Sequence, residues 1–401
     1  MMTQKKSTSK WIAIIINTIL LLLCSYWLGN ISIPFSGDET DFLKIYHEVV
    51  KSDTNNSDAW KDSILFVNTC YDIDIHPHYT YNSKDGYEAR TNRAHLYSVL
   101  KALKENDTYR YILIDIRLDR LDNVDDVYTD SIVQLLSDMK RVCVAKSHEF
   151  QLADSTLDSI AGWVDYRVNS RETGFAKFDL FPNDEVSMPL RMYQELHNRK
   201  LTRKCGIYFD NHTPCHCVFI PTYDITDLTP SINPEDSSQL NYRYTNLNDL
   251  LYGEEYGYHN EVKGKIIVFG DLFRHDLHDT YLNKRISGPL INTNIYLSLC
   301  NSEHHVHWRG VIMLGVLYLF LFWIMIYFEE KKNKILSFGN AGIIKLVCAL
   351  FGWGGLFWCI GILMYTIDDI VYNPLIPTLW FTIILPIYLY FAYNFRKNEK
   401  V

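Results

Sequence analysis

Between Gly29 and Trp308 the chain lacks a basic surplus. The 401-residue sequence has a formal charge of −8; residues 1–29 and 309–401 carry +3 each, which leaves −14 on the stretch between them. A nucleic-acid partner is excluded, because phosphate backbones demand a basic footprint. Also missing are a nucleophile elbow, a phosphate-binding loop and a zinc-protease helix motif. Gly264 and Gly270 flank an apolar run without forming a dinucleotide fingerprint. There is no internal repeat and no low-complexity tract. No small-x-small cleavage site follows the first apolar run, which argues against a removed signal peptide. Leu23 precedes Cys24 and is too bulky for a lipoprotein attachment site.

Long hydrophobic runs are what the sequence does have. Trp11 to Leu28 is uncharged and about as long as a bilayer's hydrocarbon core requires. Val311 to Phe328, Leu346 to Ile367 and Leu375 to Tyr393 follow near the other end. The last contains Pro377 and Pro386, which spanning helices tolerate better than soluble ones. Lys345 is placed to snorkel at the end of its run. The N-terminus, Glu329 to Lys334 and Phe395 to Val401 are rich in Lys and Arg, whereas the joint at Asp368 and Asp369 has none. By the positive-inside rule, four spans put both termini in the cytoplasm, and Trp27, Trp308 and Trp380 sit where aromatic belts form. The expected order is a cytoplasmic N-terminus (1–10), a first span (11–28), an extracytoplasmic domain (29–308), a three-helix membrane region (309–394) and a cytoplasmic tail (395–401).

Inside 29–308, five short apolar runs read as strands: Ile64 to Asn68, Tyr111 to Ile116, Arg141 to Ala145, Cys217 to Pro221 and Lys265 to Gly270. They lack the alternation of a half-exposed strand, so the expected sheet is covered on both faces. Helical patterns run over Arg93 to Lys104, Asp130 to Met139 and Met188 to Leu196. Strands alternating with helices predict an α/β domain with a mostly parallel sheet. Asn211 to Pro214 and Thr229 to Asn248 read as irregular.

Parallel sheets gather ligands beyond the carboxyl ends of their strands, and Asp recurs there. Asp72 and Asp74 follow the first run; Asp115 and Asp119 end the second; Asp271, Asp276, His278 and Asp279 follow the last. Two readings are open. The carboxylates converge to bind a divalent cation or to hold an acid of raised pKa, or they cap turns and helices. The ligand-binding or latch candidates are Asp115, Asp119, Asp271, Asp276, His278 and Asp279. If the runs ending in Asp115 and Gly270 are neighbours, Asp115 comes close to Asp276 or His278 and the loop is latched.

Cys70, Cys205, Cys215, Cys217 and Cys300 are candidates for at least one disulfide in an oxidising compartment. Cys143, in an apolar run, reads as a buried thiol. The stretch HTPCHC, His212 to Cys217, lacks a second ligand pair at zinc-finger spacing, so a bridge is favoured over zinc. Three histidines in Glu303 to Trp308 read as solvated juxtamembrane residues, with metal or pH sensing the rival.

The order of these features resembles the CHASE2 sensory modules of bacterial receptors. The segments that carry the likeness are YILIDIRLDR (Tyr111 to Arg120), DSIVQLL from Asp130, RVCVA, GKIIVFG from Gly264, DLHDT (Asp276 to Thr280) and GPLINTN (Gly288 to Asn294). Tyr281 stands where that family often has Pro, and Asn292 and Thr293 where it has His and Ala; residues 150–260 diverge. The resemblance implies a multi-pass protein of the bacterial plasma membrane with its large domain outside, sensing a small molecule or cation. It would be non-enzymatic and free of cofactors. Only seven residues follow the last span, so its output would pass to a separate signalling or membrane partner. A metal-dependent extracytoplasmic hydrolase using the Asp cluster, and a structural subunit of an envelope assembly, are the alternatives.

Overall fold

The computed structural model describes residues 2–30, 56–80, 83–120, 127–166, 177–226, 228–231, 242–252, 261–280, 285–331, 342–368 and 375–388. The predicted tail, the joint from 332 and Asp369 lie outside them. The chain forms two units: residues 1–39, 203–216 and 305–401 make one, and residues 40–202 and 217–304 the other.

The second unit is built on a seven-stranded sheet. Its strands and local partners are β1 (Ile64–Asn68), β2 (Ile73–Thr80), β3 (Ser83–Thr91), β4 (Tyr111–Asp115), β5 (Val142–Lys146), β6 (Ala161–Trp163), β7 (Leu228–Pro230), β8 (Tyr242–Asn246) and β9 (Ile266–Gly270). The sheet order is β7-β8-β1-β9-β4-β5-β6, and each neighbouring pair is parallel. β2 and β3 form a separate antiparallel hairpin. As the apolar runs predicted, β1 and β9 are buried at every position. β9 occupies the middle of the sheet beside β4, with Gly270 in register with Asp115.

Helices cover both faces. Arg93–Asn106, introduced by an Asn92 side chain that accepts from the His95 N–H, and Val127–Asp138 close one face. Their apolar stripes bury Leu96, Val99, Leu100, Ile132 and Leu136 against Leu65, Val67, Ile112, Ile114, Val144 and Phe269. Helices Met188–His197 and Gly288–Cys300 pack on the sheet and on one another. The Gly288–Cys300 helix is buried from Gly288 to Leu299. GPLINTN therefore opens a core helix rather than preceding one.

Two strand expectations change. Cys217 to Pro221 is no member of the main sheet; only Val218–Phe219 is extended, and it pairs antiparallel with Phe178–Asp179. Its run is too short and too close to Pro221 to support a ladder. Conversely β8, polar and aromatic, lies inside the stretch read as irregular and lines up beside β1. Neighbour pairing overrode a sequence with no apolar signal.

The first unit contains helices Met2–Gly29, Trp308–Lys331 and Gly342–Asp368, and a segment from Leu375 to Tyr388 that passes through a π-turn at Trp380–Ile384. Two helices are long and apolar enough to cross a membrane, over Lys10–Trp27 and Trp308–Ile326. The apolar helical stretches Ala349–Met364 and Leu375–Tyr388 are shorter. Inward side chains form one core of Ile14, Leu21, Leu314, Tyr318, Phe322, Phe357 and Phe381, with Phe322 stacked on Phe381 at 4.7 Å. Ile12, Ile16, Ile19, Ile312, Val316 and Phe320 face outward and exposed. A helix apolar on all sides suits lipid better than water.

The domain boundary differs from the expected 29–308. The hairpin Ile207–Asp210/Thr213–Cys215 belongs with the helices. Tyr26, at the end of the first helix, explains it: its hydroxyl accepts from the Tyr208 N–H at 2.9 Å and donates to the Cys215 carbonyl at 2.8 Å. His305 Nε2 lies 2.9 Å from the buried Asp210 carboxylate. Hydrogen bonds between residues so far apart in the chain leave no local pattern in the sequence.

Candidate functional site

The carboxyl edge of the sheet opens into a cleft of about 570 Å³. Its walls come from the ends of β1, β4, β5 and β9, the β3 strand and the segment after β6. This is the size and position of a small-molecule site in an open parallel sheet.

Three of the predicted residues line it together. Asp115 ends β4, and Asn292 Nδ2 donates to its Oδ2 at 2.8 Å. Asp276 Oδ1 lies 2.7 Å from His278 Nε2. The Tyr166 ring stands edge-on to His278 with centroids 5.2 Å apart. Burial, and next the Asp276 carboxylate, push the Asp115 carboxyl up to about 8, against smaller opposing effects of Asn292 and His278. Near neutrality Asp115 therefore holds its proton. The hydrogen bond to Asp276 raises His278, which favours an imidazolium–carboxylate pair. Burial also drives the Tyr166 phenol well above its ordinary value, with Asp115 and Asp276 adding to the effect.

Two glycines make the arrangement possible. A Cβ on Gly270 would stand 2.3 Å from Pro289 Cγ and 2.9 Å from the Asp115 carbonyl oxygen. A Cβ on Gly288 would stand 2.2 Å from Asp276 Oδ2. Without these side chains the helix start packs onto β9 and the Asp276 carboxylate lies against the helix N-terminus, where a negative charge is favoured. The Gly288 N–H also donates to the Asp276 carbonyl at 3.0 Å. Leu277 and His278 pair antiparallel with Ser287 and Ile286, which ties the loop back on itself.

The other predicted carboxylates do different work. Asp271 accepts from the N–H groups of Phe273, Arg274 and His275 at 3.0, 2.9 and 2.8 Å and so caps a turn. Asp279 accepts from Arg285 N–H. Asp72 pairs with His95 at 2.7 Å, and Asp74 accepts from Asn92. Asp119 is buried and joins an ion-pair cluster: Arg90 bridges it and Glu88 at 3.1 and 2.6 Å, and Arg117 bridges the same two at 2.7 and 2.8 Å. For these residues the capping and pairing reading holds.

The disulfide expectation is not met. Among the described residues no disulfide joins Cys70, Cys205, Cys215, Cys217 or Cys300. Cys70 Sγ instead accepts from Asn68 Nδ2 at 3.1 Å, and Cys300 Sγ lies 3.3 Å from His197 Nε2. Cys143 is buried as predicted.

Sequence reading passed over Tyr166, Arg90, Arg117 and Glu88. The signal for the ion cluster was present: Asp115, Arg117 and Asp119 alternate along one extended stretch, as do Glu88 and Arg90 along β3, and period two puts alternate residues on one side. Tyr166 had no such signal. No family model, no curated protein and no solved structure matches this chain.

Proposed function

We propose that this protein is a four-span bacterial membrane protein whose α/β domain, on the extracytoplasmic side, senses a small molecule in the cleft at Asp115 and signals through a separate partner. One feature carries the reading: Asp115, partly buried, lines a cleft of about 570 Å³ with the Asn292 amide rather than a cation as its hydrogen-bond partner, and burial raises its carboxyl to about 8. A structural carboxylate is usually paired, as Asp119 is. One that is left to a proton is poised to change state when a ligand arrives. The likeness of the strand, loop and helix segments to CHASE2 modules supports a sensory role. The outward apolar faces of the helices and the distribution of Lys and Arg support four spans with both termini cytoplasmic. Signalling would be a population shift in the domain, carried into the helices by the chain connections at Thr202–Arg203, His216–Cys217 and His304–His305.

A hydrolase is the second reading, favoured by the same raised Asp115 beside Asp276, which is how a general acid is tuned. The two separate in one experiment. Purified full-length protein is screened for thermal stabilisation by small molecules, and each hit is followed for turnover with and without divalent cations. Stabilisation without turnover, lost in Asp115→Ala, is the expected result. Metal-dependent hydrolysis lost in Asp276→Asn would establish the enzyme instead. A reporter fused after Val401 that is active outside the cell would remove the four-span arrangement.

A further inference from the structure

The charges around the cleft are unequal in a way that selects its occupant; the argument rests on the cleft being the binding site proposed above. Two guanidinium groups line it, those of Arg90 and Arg117, and each already spans the carboxylates of Glu88 and Asp119. His278 is paired with Asp276, and His148 with Asp165 at 2.9 Å. These four basic groups are thus committed to acids of the protein, and the exposed His275 is the fifth basic side chain of the lining. The acids are not all committed: Asp115 accepts from the neutral amide of Asn292, and Glu149 stands exposed on the wall. An anion entering here would have to break an ion pair to engage either guanidinium. A cation would find Asp115 waiting, with Phe150 and Ile73 for its carbon chain.

A second polar atom sharpens the class. Arg90 lines the cleft, is only 6% exposed, and its Nε has no hydrogen-bond partner. A buried donor left unmade is costly, so an occupant offering an acceptor is favoured over a purely apolar amine. The distribution of donors and acceptors speaks against a bare metal ion as well, because it supplies carboxylate and guanidinium groups side by side, and a divalent cation wants oxygen ligands alone.

We propose that the cleft binds a small organic amine in its protonated form, with Asp115 as the counter-ion and a hydrogen-bond acceptor on the ligand directed to Arg90. The amine enters charged. Asp115 gives up its proton to solvent, and an ammonium–carboxylate pair replaces the carboxylic acid. No covalent bond is made or broken apart from that O–H.

The proton makes the proposal measurable. Around Asp115 stand Asp276 and His278 from the loop, Asn292 from the helix, Tyr166 from the segment after β6 and Cys143 from β5. Asp115, raised to about 8, holds its proton at pH 7, and the hydrogen bond to Asp276 raises His278. Amine binding at pH 7 should release about one proton, and affinity should rise about tenfold per pH unit until Asp115 is ionised near 8.

The test is isothermal titration of the full-length protein in detergent with four probes of matched chain length: aminobutanol, putrescine, butanediol and succinate. The expected order is aminobutanol tightest, then putrescine, with butanediol at least about tenfold weaker and succinate not binding. In buffers of different ionisation heat, both amines should release protons. Asp115→Asn should weaken the amines at least about tenfold and abolish proton release while leaving butanediol unchanged; an unaltered melting curve shows that the variant is folded. Amine binding unchanged in Asp115→Asn, or without proton release, overturns the proposal. Butanediol or succinate binding as tightly as the amines, and lost in Arg90→Lys, overturns the cation but keeps the cleft as a binding site. No binding by any of the four at millimolar concentration overturns the amine, and an absence of hits in the wider screen would then remove the cleft reading too.

Discussion

Two groups of charged residues share the wall of one cleft, and they are neutralised in opposite ways. Glu88, Arg90, Arg117 and Asp119 close on each other as two acids and two bases. Asp115, Asp276 and His278 are two acids and one base, and the shortfall is met by a proton on Asp115. The first group has no net charge for a ligand to balance and much to lose from a missing member. The second gains a partner when a cation binds and tolerates losing its odd charge. Proximity to a cleft does not by itself distinguish structural from functional carboxylates; the local balance of charge does.

The comparison is broken most severely by opening the closed group. Arg90 is 6% exposed and the Asp119 side chain 10%. Arg90→Met leaves Asp119 buried without its cation on that side, a change that costs about 3–5 kcal/mol. For a domain of this size the melting temperature should fall by roughly 10 °C, read by thermal unfolding of the full-length protein. Arg90→Met combined with Asp119→Leu should recover much of the loss, since an apolar pair of similar volume replaces a buried ion pair at little cost. A single variant with an unchanged melting curve would show that the group is not structural.

Gly288→Ala tests how the open group is placed. Alanine is the better helix former at this position, so with free space the change would stabilise. Here the new methyl meets Asp276 Oδ2 at 2.2 Å. The carboxylate must move, and the expected net loss is about 1–3 kcal/mol. A gain in stability would show that Asp276 can leave the helix start freely.

Asp115→Asn should do the reverse of most substitutions in a core. The folded-state carboxyl is raised, so the native state binds more protons than the unfolded chain between pH 4 and 8, and wild-type stability falls as pH rises through that window. Asparagine removes that penalty while keeping an oxygen for Asn292. The variant should match wild type near pH 4 and exceed it by about 1–2 kcal/mol at pH 9, allowing for the water that reaches the cleft. An equal effect at both pH values would mean that Asp115 is ionised throughout.

The sheet was legible because its inner strands are buried on both faces and leave continuous apolar runs, as Ile64–Asn68 and Ile266–Gly270 show. β7 and β8 were not, because Leu228–Pro230 and Tyr242–Asn246 are polar and gain their extended form from the neighbour they pair with. The meeting of Asp115 with Asp276 and His278 could be anticipated, since both runs end in Asp and both lack the alternation of a half-exposed strand, as central neighbours do. Which carboxylates would be consumed locally could not. Asp271 spends its oxygens on three N–H groups a few residues ahead, a choice fixed by loop geometry. The hairpin at Tyr26 was hidden for the opposite reason: its partners are 182 and 189 residues away in the chain.

The smallest effect concerns the base of the open group. His278 carries a raised pKa from its hydrogen bond to Asp276, but its side chain is 40% exposed, so solvent screens the pair. A raised histidine stabilises fully below its unfolded value near 6.5, and the benefit is lost as pH rises through the folded value. His278→Ala should therefore lower stability by about 0.5 kcal/mol at pH 6, with the deficit shrinking towards pH 9. That is the opposite trend from Asp115→Asn, whose advantage grows over the same range. Both follow from groups that hold protons in the folded state, one removed as a favourable charge and one as an unfavourable burial. A His278→Ala deficit that stays constant with pH would assign the residue's contribution to its edge-on contact with Tyr166 instead of to the ion pair, and the open group would then consist of the two carboxylates alone.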